Sequence, residues 1–435
     1  MPLSVPNPKQ VRSKRFDQKR EAILATAARL FNERGLKGVT LSQIAASVGL
    51  ETTSITYYYR RKEDLAVSCM LRTIAEIESS VRKAALMTSV VERVEHFFRL
   101  YAKLLATIAT GDQSPLIGFG DVRSLPEATA SVVFSAYGDM FRGIRKLLSG
   151  SETAALTRQS LNARTHLVVS AMHWMGVWIG RYEIDDYPRI AQRVADLLLY
   201  GLAGQSQTWP DVTTLDEMDF AEFPLALHDP GEAFLRAATE LINEQGYHGA
   251  SVDKISARIN LTKGSFYHHN ETKLDLVSAC WERSFSVLRQ TLQAAQLSRG
   301  SGWTRCCAAL SSLVRFQLSE RGPLLRASAI SALPDHAHRD QVMHTLQALT
   351  ERIASLLVDG LADGSIRPHD SSVCAQLLSS TINAAAELRQ WVPGINMGNA
   401  TRLYARPGLL GLLCRESREA EQPKRDVVTS PACPD

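Results

Sequence analysis

The chain has 435 residues, which is long enough for several domains, and its apolar content of 45% is typical of ordinary globular cores. No stretch approaches the roughly 20 apolar residues of a membrane-spanning helix, and the amino terminus lacks the basic-then-apolar order of a signal peptide. The sequence therefore predicts a cytoplasmic protein without a membrane partner. The formal net charge is +4, and it is unevenly distributed along the chain.

The first 15 residues are rich in proline and then in basic side chains, namely Lys9, Arg12, Lys14 and Arg15. Such a basic arm suits contacts with nucleic-acid phosphates or entry into a minor groove. A solvated flexible tail is the alternative interpretation.

A stretch of 49 residues occurs twice in this chain. Residues 21–69 align with residues 232–280 without a gap at a constant offset of 211, and 17 of the 49 positions are identical. A single shared helix would not preserve identities over several turns and caps. Two copies of one structural unit therefore organise the sequence.

Each copy is predicted to be a small helical unit. In the first copy, apolar residues at helical spacing in 23–31 mark a first helix, which Gly35 ends. Thr40 then caps a short second helix, with Gln43 in capping-box position. Gly49 leads into a third helix of about seven residues. This succession is a helix-turn-helix, a motif that fits its second short helix into the major groove of DNA.

The pattern resembles the amino-terminal domain of TetR/AcrR-type transcriptional regulators. The shared features are an apolar first helix ending in Gly, then Thr-x-x-x-Ile-Ala, Gly-Leu, an aromatic-rich recognition helix and Lys-Glu-Asp-Leu. The first copy departs from the family pattern at Glu51 and Thr56. The second copy departs at Asn260, Asn270 and Leu274, of which Asn260 tolerates the left-handed conformation of the turn.

The resemblance implies an all-α fold of two tandem units, because a family member usually has about half this length. Each unit would join a helix-turn-helix domain to a helical effector and dimerisation domain. The stretch between residues 195 and 234 contains no Lys or Arg and reads as an acidic linker. The expected boundaries are residues 1–15 for the basic flexible arm, 16–65 for helix-turn-helix domain 1, 66–204 for effector domain 1, 205–229 for the acidic linker, 230–276 for helix-turn-helix domain 2, 277–415 for effector domain 2 and 416–435 for a disordered tail.

The expected DNA contacts cluster on the two recognition helices and their caps. Hydroxyl groups can bind phosphates or base edges, and basic side chains neutralise phosphates. Ile55 and Tyr59 are expected in the core instead. The predicted DNA-binding residues are Thr40, Gln43, Thr52, Thr53, Ser54, Tyr57, Tyr58, Arg60, Lys62, Ser251, Thr262, Lys263, Gly264, Ser265, Tyr267, His268 and Lys273.

Charge favours the first copy as the stronger DNA binder. Residues 9–69 hold 12 Lys and Arg against 6 acidic residues, whereas residues 232–283 hold 6 against 7. Non-specific affinity for DNA comes mainly from phosphate neutralisation. The second recognition helix is nevertheless closer to the family pattern, so its contribution to DNA binding stays open.

The remaining segments predict helical effector domains. Residues 91–109 are strongly amphipathic, and further helices are expected over 127–148, 154–181, 187–202, 371–391 and 401–413. Aromatic and Met side chains crowd one of them, and a core or interface role is favoured over a ligand pocket. If a pocket exists, its predicted residues are Phe97, Phe98, Tyr101, His173, Trp174 and Trp178.

No catalytic, metal or cofactor site is predicted. The chain has no Gly-rich phosphate loop, nucleophile elbow, HExxH motif or paired catalytic carboxylates. His336, His338 and His344 do not share one face with a carboxylate partner, so a metal site is disfavoured. The seven cysteines are expected to be buried thiols, with redox sensing as the less favoured alternative.

These features together favour a regulator that binds a double-stranded DNA operator, most simply a repressor released by an unknown small-molecule effector. Residues 164–202 and 371–413 are expected to pack as an intramolecular four-helix bundle, which would make the chain a pseudo-dimer. A homodimer of tandem chains is the rival arrangement. A regulator or a ligand- or partner-binding protein in which only the first helix-turn-helix binds DNA is the functional alternative.

Overall fold

The structure is a computed structural model that describes residues 8–120, 122–211, 230–260, 272–333 and 336–415. Within these ranges the chain is helical, and the one extended pairing is an isolated antiparallel bridge between Ala203 and Ile366. The predicted all-α fold of two tandem helical units is therefore confirmed.

The first half contains eight α-helices in its described residues. They are α1 (Pro8–Arg34), α2 (Leu41–Ser47), α3 (Thr52–Tyr58), α4 (Lys62–Ala84), α5 (Val90–Ala109), α6 (Glu127–Leu147), α7 (Arg158–Trp178) and α8 (Tyr187–Tyr200).

The second half contributes nine α-helices in the ranges described. They are α9 (Pro230–Gly249), α10 (Val252–Arg258), α11 (Lys273–Leu297), α12 (Gly302–Leu318), α13 (His336–Ala362), α14 (Ser371–Ala384), α15 (Leu388–Trp391), α16 (Met397–Ala400) and α17 (Arg406–Leu410).

Local sequence signals explain where the short helices begin. Thr40 accepts a hydrogen bond from the Gln43 backbone at 3.2 Å, and the Gln43 side chain accepts one from the Thr40 backbone at 2.9 Å, which is a complete capping box. Ser251 caps α10 through the backbone N–H of Lys254. Asn260 has a φ of 54° and thus adopts the left-handed conformation expected at that turn.

Three predicted boundaries differ from the structure. Helix α1 begins at Pro8, so the arm is helical from that residue onward and not a flexible segment up to residue 15. The last predicted helix, 401–413, is a π-helical turn over Thr401–Ala405 followed by α17, which ends at Leu410 and is capped by Gly411 with a φ of 91°. The first linker residues are packed, because Trp303 donates to the Thr208 carbonyl at 2.8 Å. Residues 212–229 and the predicted tail, 416–435, lie outside the described residues.

The two halves contact each other through the last helices of each effector domain. Helices α7 and α8 pack against α14, and α7 also packs against the segment Thr401–Leu410. The buried Arg164 of α7 donates to the Leu412 carbonyl at 2.8 Å and to the Cys414 carbonyl at 2.9 Å. The hydroxyl of Tyr404 lies 3.0 Å from Nδ1 of His166. A polar network is thus embedded in the apolar interface.

Backbone pairing and ion pairs extend the same interface. The Leu202 N–H donates to the Leu409 carbonyl at 2.8 Å, and the Leu412 N–H donates to the Leu198 carbonyl at 2.7 Å. Arg367 pairs with Asp196 at 2.6 Å, and Arg193 of α8 pairs with Asp370 at the start of α14. Because charged groups here are partly buried, these pairs favour one register of the two halves.

The helix-turn-helix domains also contact the opposite half. The turn Val122–Ser124 of the first half packs against α9, and the turn Ala327–Ala332 of the second half packs against α1.

Within each half, an asparagine at the end of the first helix is held by an equivalent loop. Asn32 donates to the Leu116 carbonyl at 2.7 Å, and Asn243 donates to the Leu324 carbonyl at 2.8 Å.

Candidate functional site

The first recognition helix, α3, is held by two buried side chains. Ile55 is fully buried and Tyr59 is 6% exposed, as the sequence predicts. They orient the opposite face of the seven-residue helix toward solvent. A short helix with one apolar edge therefore presents a polar edge at the molecular surface.

The predicted DNA contacts of α3 lie on that polar edge. Thr53 and Tyr57 are exposed, with 78% of Tyr57 accessible, whereas Thr52, Ser54 and Tyr58 are half-buried. Hydroxyl groups in this arrangement can reach phosphates or base edges. The structure thus brings these five side chains together on one surface.

An aromatic contact from α1 covers part of this surface. The ring of Phe16 lies 4.7 Å from that of Tyr58 and 6.2 Å from that of Tyr57, measured between centroids. The extended start of α1 therefore packs onto the recognition helix. This contact could not be read from the sequence, because it joins two helices about 40 residues apart in the chain.

The other predicted residues of the first copy divide into exposed groups and groups with intramolecular partners. Arg60 is exposed beside the end of α3. The ammonium group of Lys62 donates to the Val39 carbonyl at 2.9 Å, so it stabilises the turn before α2. Thr40 and Gln43 are exposed, but their side chains pair in the capping box. Lys62, Thr40 and Gln43 thus have structural roles in this conformation.

The second copy uses its basic residues internally. The Lys254 ammonium donates to Gln245 at 2.7 Å, and Arg258 forms two bonds with Glu244 at 2.8 and 3.0 Å. Lys273 donates to the Tyr247 carbonyl; burial lowers its pKa to about 8, and the nearby charge of Lys37 acts in the same direction. The Glu244 carboxylate offsets the charge of Arg258, and the other two contacts hold the ammonium groups of Lys254 and Lys273 against the protein.

Most predicted DNA contacts of the second copy lie outside the described residues. Ser251 is half-buried and caps α10, which is a structural role. The predicted contacts outside the described ranges are Thr262, Lys263, Gly264, Ser265, Tyr267 and His268.

A cavity of about 570 Å³ lies between the two halves. Its walls come from the end of α1, the loop before α6, helices α6 and α7, residues 326–330, the start of α13 and residues 380–391. Of the predicted pocket residues, His173 and Trp174 line this cavity.

The other predicted pocket residues lie elsewhere. Phe97, Phe98 and Tyr101 of α5 and Trp178 of α7 are almost fully buried, and they are not among the residues that line the cavity. The reason is that α5 packs against α4 and α8, so its aromatic side chains belong to the core of the first effector domain. The predicted pocket wall formed by α5 is therefore not part of this cavity, and a ligand role for these four residues stays a prediction.

One wall of the cavity is a cluster of aromatic rings from both halves. Tyr137 stacks against His173 with 5.9 Å between centroids and contacts Trp391 at 5.2 Å. The Tyr137 hydroxyl lies 2.9 Å from Nε2 of His173. Burial lowers the pKa of His173 to about 4 and that of His166 to about 3, and the Arg326 guanidinium acts in the same direction. Both imidazoles are therefore neutral at physiological pH.

The polar end of the cavity centres on Arg326, which sequence reasoning missed. Arg326 pairs with Glu387, and its backbone N–H donates to Asn243 at 3.0 Å. Nothing in the local pattern around Arg326 distinguishes it from a surface arginine, because its partners come from distant segments.

Among the residues that the structure describes, no group of three or more His, Cys, Asp or Glu side chains could hold a metal ion. In the same ranges, no helix combines the length and the low polarity that a transmembrane segment requires.

Comparison with known proteins identifies the repeated unit. The family model of bacterial regulatory proteins of the tetR family matches residues 23–69 and 234–280. The chain is 21% identical over 148 residues to the Transposon Tn10 TetC protein of Escherichia coli, covering 34% of this chain and 74% of that protein. It is 37% identical over 73 residues to the HTH-type transcriptional regulator RutR of Escherichia coli (strain K12), covering 17% and 34%, respectively.

A crystal structure of the TetR family transcriptional regulator PfmR from Thermus thermophilus is also similar, with 20% identity, a TM-score of 0.34, and coverage of 41% of this chain and 94% of that one. The two family-model matches coincide with the two helix-turn-helix copies, and the relatives are regulators rather than enzymes. The chain is therefore a TetR-family DNA-binding transcriptional regulator that carries two TetR-type domains in tandem.

Proposed function

We propose that this regulator is a repressor that binds its operator as an intramolecular pseudo-dimer and leaves it when a small molecule binds. The observation that supports the pseudo-dimer most directly is the contact of α7 and α8 with α14 and residues 401–410 within one chain. The buried bonds from Arg164 to the Leu412 and Cys414 carbonyls span this interface. One chain then supplies the two recognition helices that an ordinary dimer supplies from two chains.

The two half-sites of such an operator differ in sequence. Residues 52–54 are Thr-Thr-Ser, whereas the equivalent residues 263–265 are Lys-Gly-Ser. Different side chains at equivalent positions read different base edges. The preferred operator is therefore an imperfect palindrome whose half-sites are about one DNA turn apart.

Ligand release follows from the position of the cavity. Phe31 and Asn32 at the end of α1 and Leu36 in the following turn form part of its wall, so a ligand there touches the first helix-turn-helix domain. A ligand that prefers the conformation with misplaced recognition helices lowers DNA affinity by linkage. The same linkage requires DNA to lower the affinity for the ligand.

A second candidate is a regulator in which the first copy alone reads DNA. Its support is the charge difference between the copies and the internal pairing of Lys254 and Arg258. In that case two chains would have to associate to read two half-sites.

The decisive experiment is the mass of the purified full chain in solution, alone and bound to DNA selected from a random library. One chain on one asymmetric operator is the result expected of the pseudo-dimer. Two chains on a symmetric operator would contradict it and favour the second candidate. Thr52→Ala and Lys263→Ala, at equivalent positions of the two copies, serve as a matched pair, since each should weaken a different half-site.

Ligand release has its own test. Fractions of a cell extract are added to the complex of the full chain with its operator, and fractions that contain the effector should lower the affinity for the operator. If a fraction displaces the DNA and the released protein still has the mass of one chain, release by conformational change is supported. Displacement that occurs only with a change of mass would contradict that mechanism.

A further inference from the structure

We propose that the cavity between the halves binds one organic anion per chain, with an aromatic or otherwise apolar body, and that Arg326 binds its anionic group. This names the chemical class of the ligand in the proposed ligand release. Only the effect of the ligand on DNA binding rests on that proposed function.

Charge is the first reason for an anion. Among the described residues that line the cavity, the basic side chains are Arg123, Arg326 and Arg339, and the acidic one is Glu387. Three guanidinium groups against one carboxylate leave an excess of two positive charges, since both lining histidines are neutral. An anionic group would offset this excess in a site of low dielectric.

The second reason is an unsatisfied donor. Nε of Arg326 is buried and makes no hydrogen bond within the described part of the chain, although another nitrogen of the same guanidinium pairs with Glu387. A buried N–H without a partner is costly, and a charged one more so. A carboxylate or similar oxyanion beside Arg326 would satisfy that donor, and guanidinium geometry suits such groups.

The internal repeat explains why one site is expected and not two. In the first half the N–H that donates to the side chain of Asn32 belongs to Gly118, at 3.0 Å. In the second half the N–H that donates to Asn243 belongs to Arg326, also at 3.0 Å. Gly118 thus occupies the equivalent position and carries no side chain. The anion-binding group is present once per chain, and the site is asymmetric.

The apolar wall defines the body of the ligand. Rings of Phe119, Tyr137, Phe141 and Trp391 contact one another with centroid distances of 4.8–5.2 Å. Such a wall suits stacking with a planar or bulky apolar group. A volume of about 570 Å³ lies within the range of sites for small organic molecules.

The same cavity reaches the DNA-binding domain through Arg339. This side chain lines the cavity and donates to the Glu33 carbonyl in the last turn of α1 at 2.5 Å. An anion that attracts Arg339 competes with that carbonyl. Binding in the cavity would therefore loosen the contact between the second effector domain and the first helix-turn-helix domain.

The test uses two fluorescent probes of nearly equal shape, dansylglycine and its neutral amide, dansylglycinamide. Each is titrated into the full chain and followed by its emission. We expect one dansylglycine per chain and a preference for the carboxylate of about tenfold, the size expected of one charge-assisted hydrogen bond. Equal affinities for the two probes, or two equivalent sites per chain, would overturn the proposal.

Variants locate the anionic group. Arg326→Gln should abolish the preference for the carboxylate and leave dansylglycinamide binding unchanged, which also shows that the variant is folded. Glu387→Gln should increase the preference, because it removes the competing carboxylate. Arg142→Gln, at an exposed arginine of α6, is the control and should have no effect. A preference that persists in Arg326→Gln, or does not rise in Glu387→Gln, would contradict the assignment.

Operator binding measured on the same samples separates the two proposals. If neither probe binds while DNA binding persists, the anion site is refuted and the DNA-binding function stands. If dansylglycine binds with the expected preference, the anion site is supported whatever its effect on operator affinity.

Discussion

Replacing Arg164 by methionine should weaken the contact between the two halves. The guanidinium donates to the carbonyls of Leu412 and Cys414 at 2.8 and 2.9 Å in a buried position. Two hydrogen bonds from a charged group contribute about 3–6 kcal/mol together. Removing a buried charge recovers part of its desolvation cost, and methionine keeps most of the packing, so the expected net loss is about 2–4 kcal/mol.

The matched control for this change is Arg93→Met. Arg93 also donates to backbone carbonyls, those of Met87, Thr88 and Ser149, each at 2.9 Å. All of these bonds lie within the first half. The two variants therefore lose the same kind of interaction, and only Arg164→Met loses one that spans the halves.

Two measurements separate the variants. Urea unfolding followed by circular dichroism gives the stability loss, and titration with a two-half-site operator gives the DNA affinity. We expect Arg164→Met to weaken operator binding more than Arg93→Met at a comparable loss of stability. The reasoning would be refuted if both variants lowered operator affinity equally, or if Arg164→Met left stability unchanged.

Three further predictions concern the first helix-turn-helix domain and the interface. Thr40→Ala removes the cap of α2 and should cost about 1 kcal/mol in urea unfolding, whereas Ser42→Ala on the same helix should be neutral; equal effects would contradict the capping role. Thr53→Ala should lower operator affinity about fivefold through one half-site only. Thr56→Ala is the control, and a loss of affinity at both half-sites would contradict the prediction. Burial lowers the folded-state pKa of His166 to about 3, below its unfolded value, so the unfolded chain takes up the proton first as the pH falls. His166 should therefore lower stability by up to about 1.4 kcal/mol for each pH unit below about pH 6.5, and His173 acts in the same direction. His166→Gln should reduce the slope of stability against pH, and an unchanged slope of urea midpoint against pH would refute the assignment.

The helix-turn-helix copies were predictable because their signals are local. The capping box of Thr40 and Gln43 and the left-handed turn at Asn260 both follow from residues a few positions apart. Helices α5 and α6 also begin and end within a residue or two of the expected positions. Caps and apolar periodicity operate within a few turns, so a sequence pattern records them directly.

Helix ends that depend on packing were harder to predict from the sequence. Helix α1 extends to Pro8, and its Phe16 contacts Tyr57 and Tyr58, which lie on α3. The π-helical turn at 401–405 lies where residues 403–405 are buried in the interface between the halves. Local propensity does not report such contacts.

By itself the sequence determined the repeated unit, its all-α class and its membership of a DNA-binding family, because these depend on residues close together in the chain. Only the tertiary structure decided where a ligand could bind. The cavity joins groups as distant in sequence as Arg123 and Gln390, whose side chains lie 2.5 Å apart across 267 residues. Aromatic residues of α5 and α7 have the same periodicity, and which of them face a cavity depends on how the two halves pack.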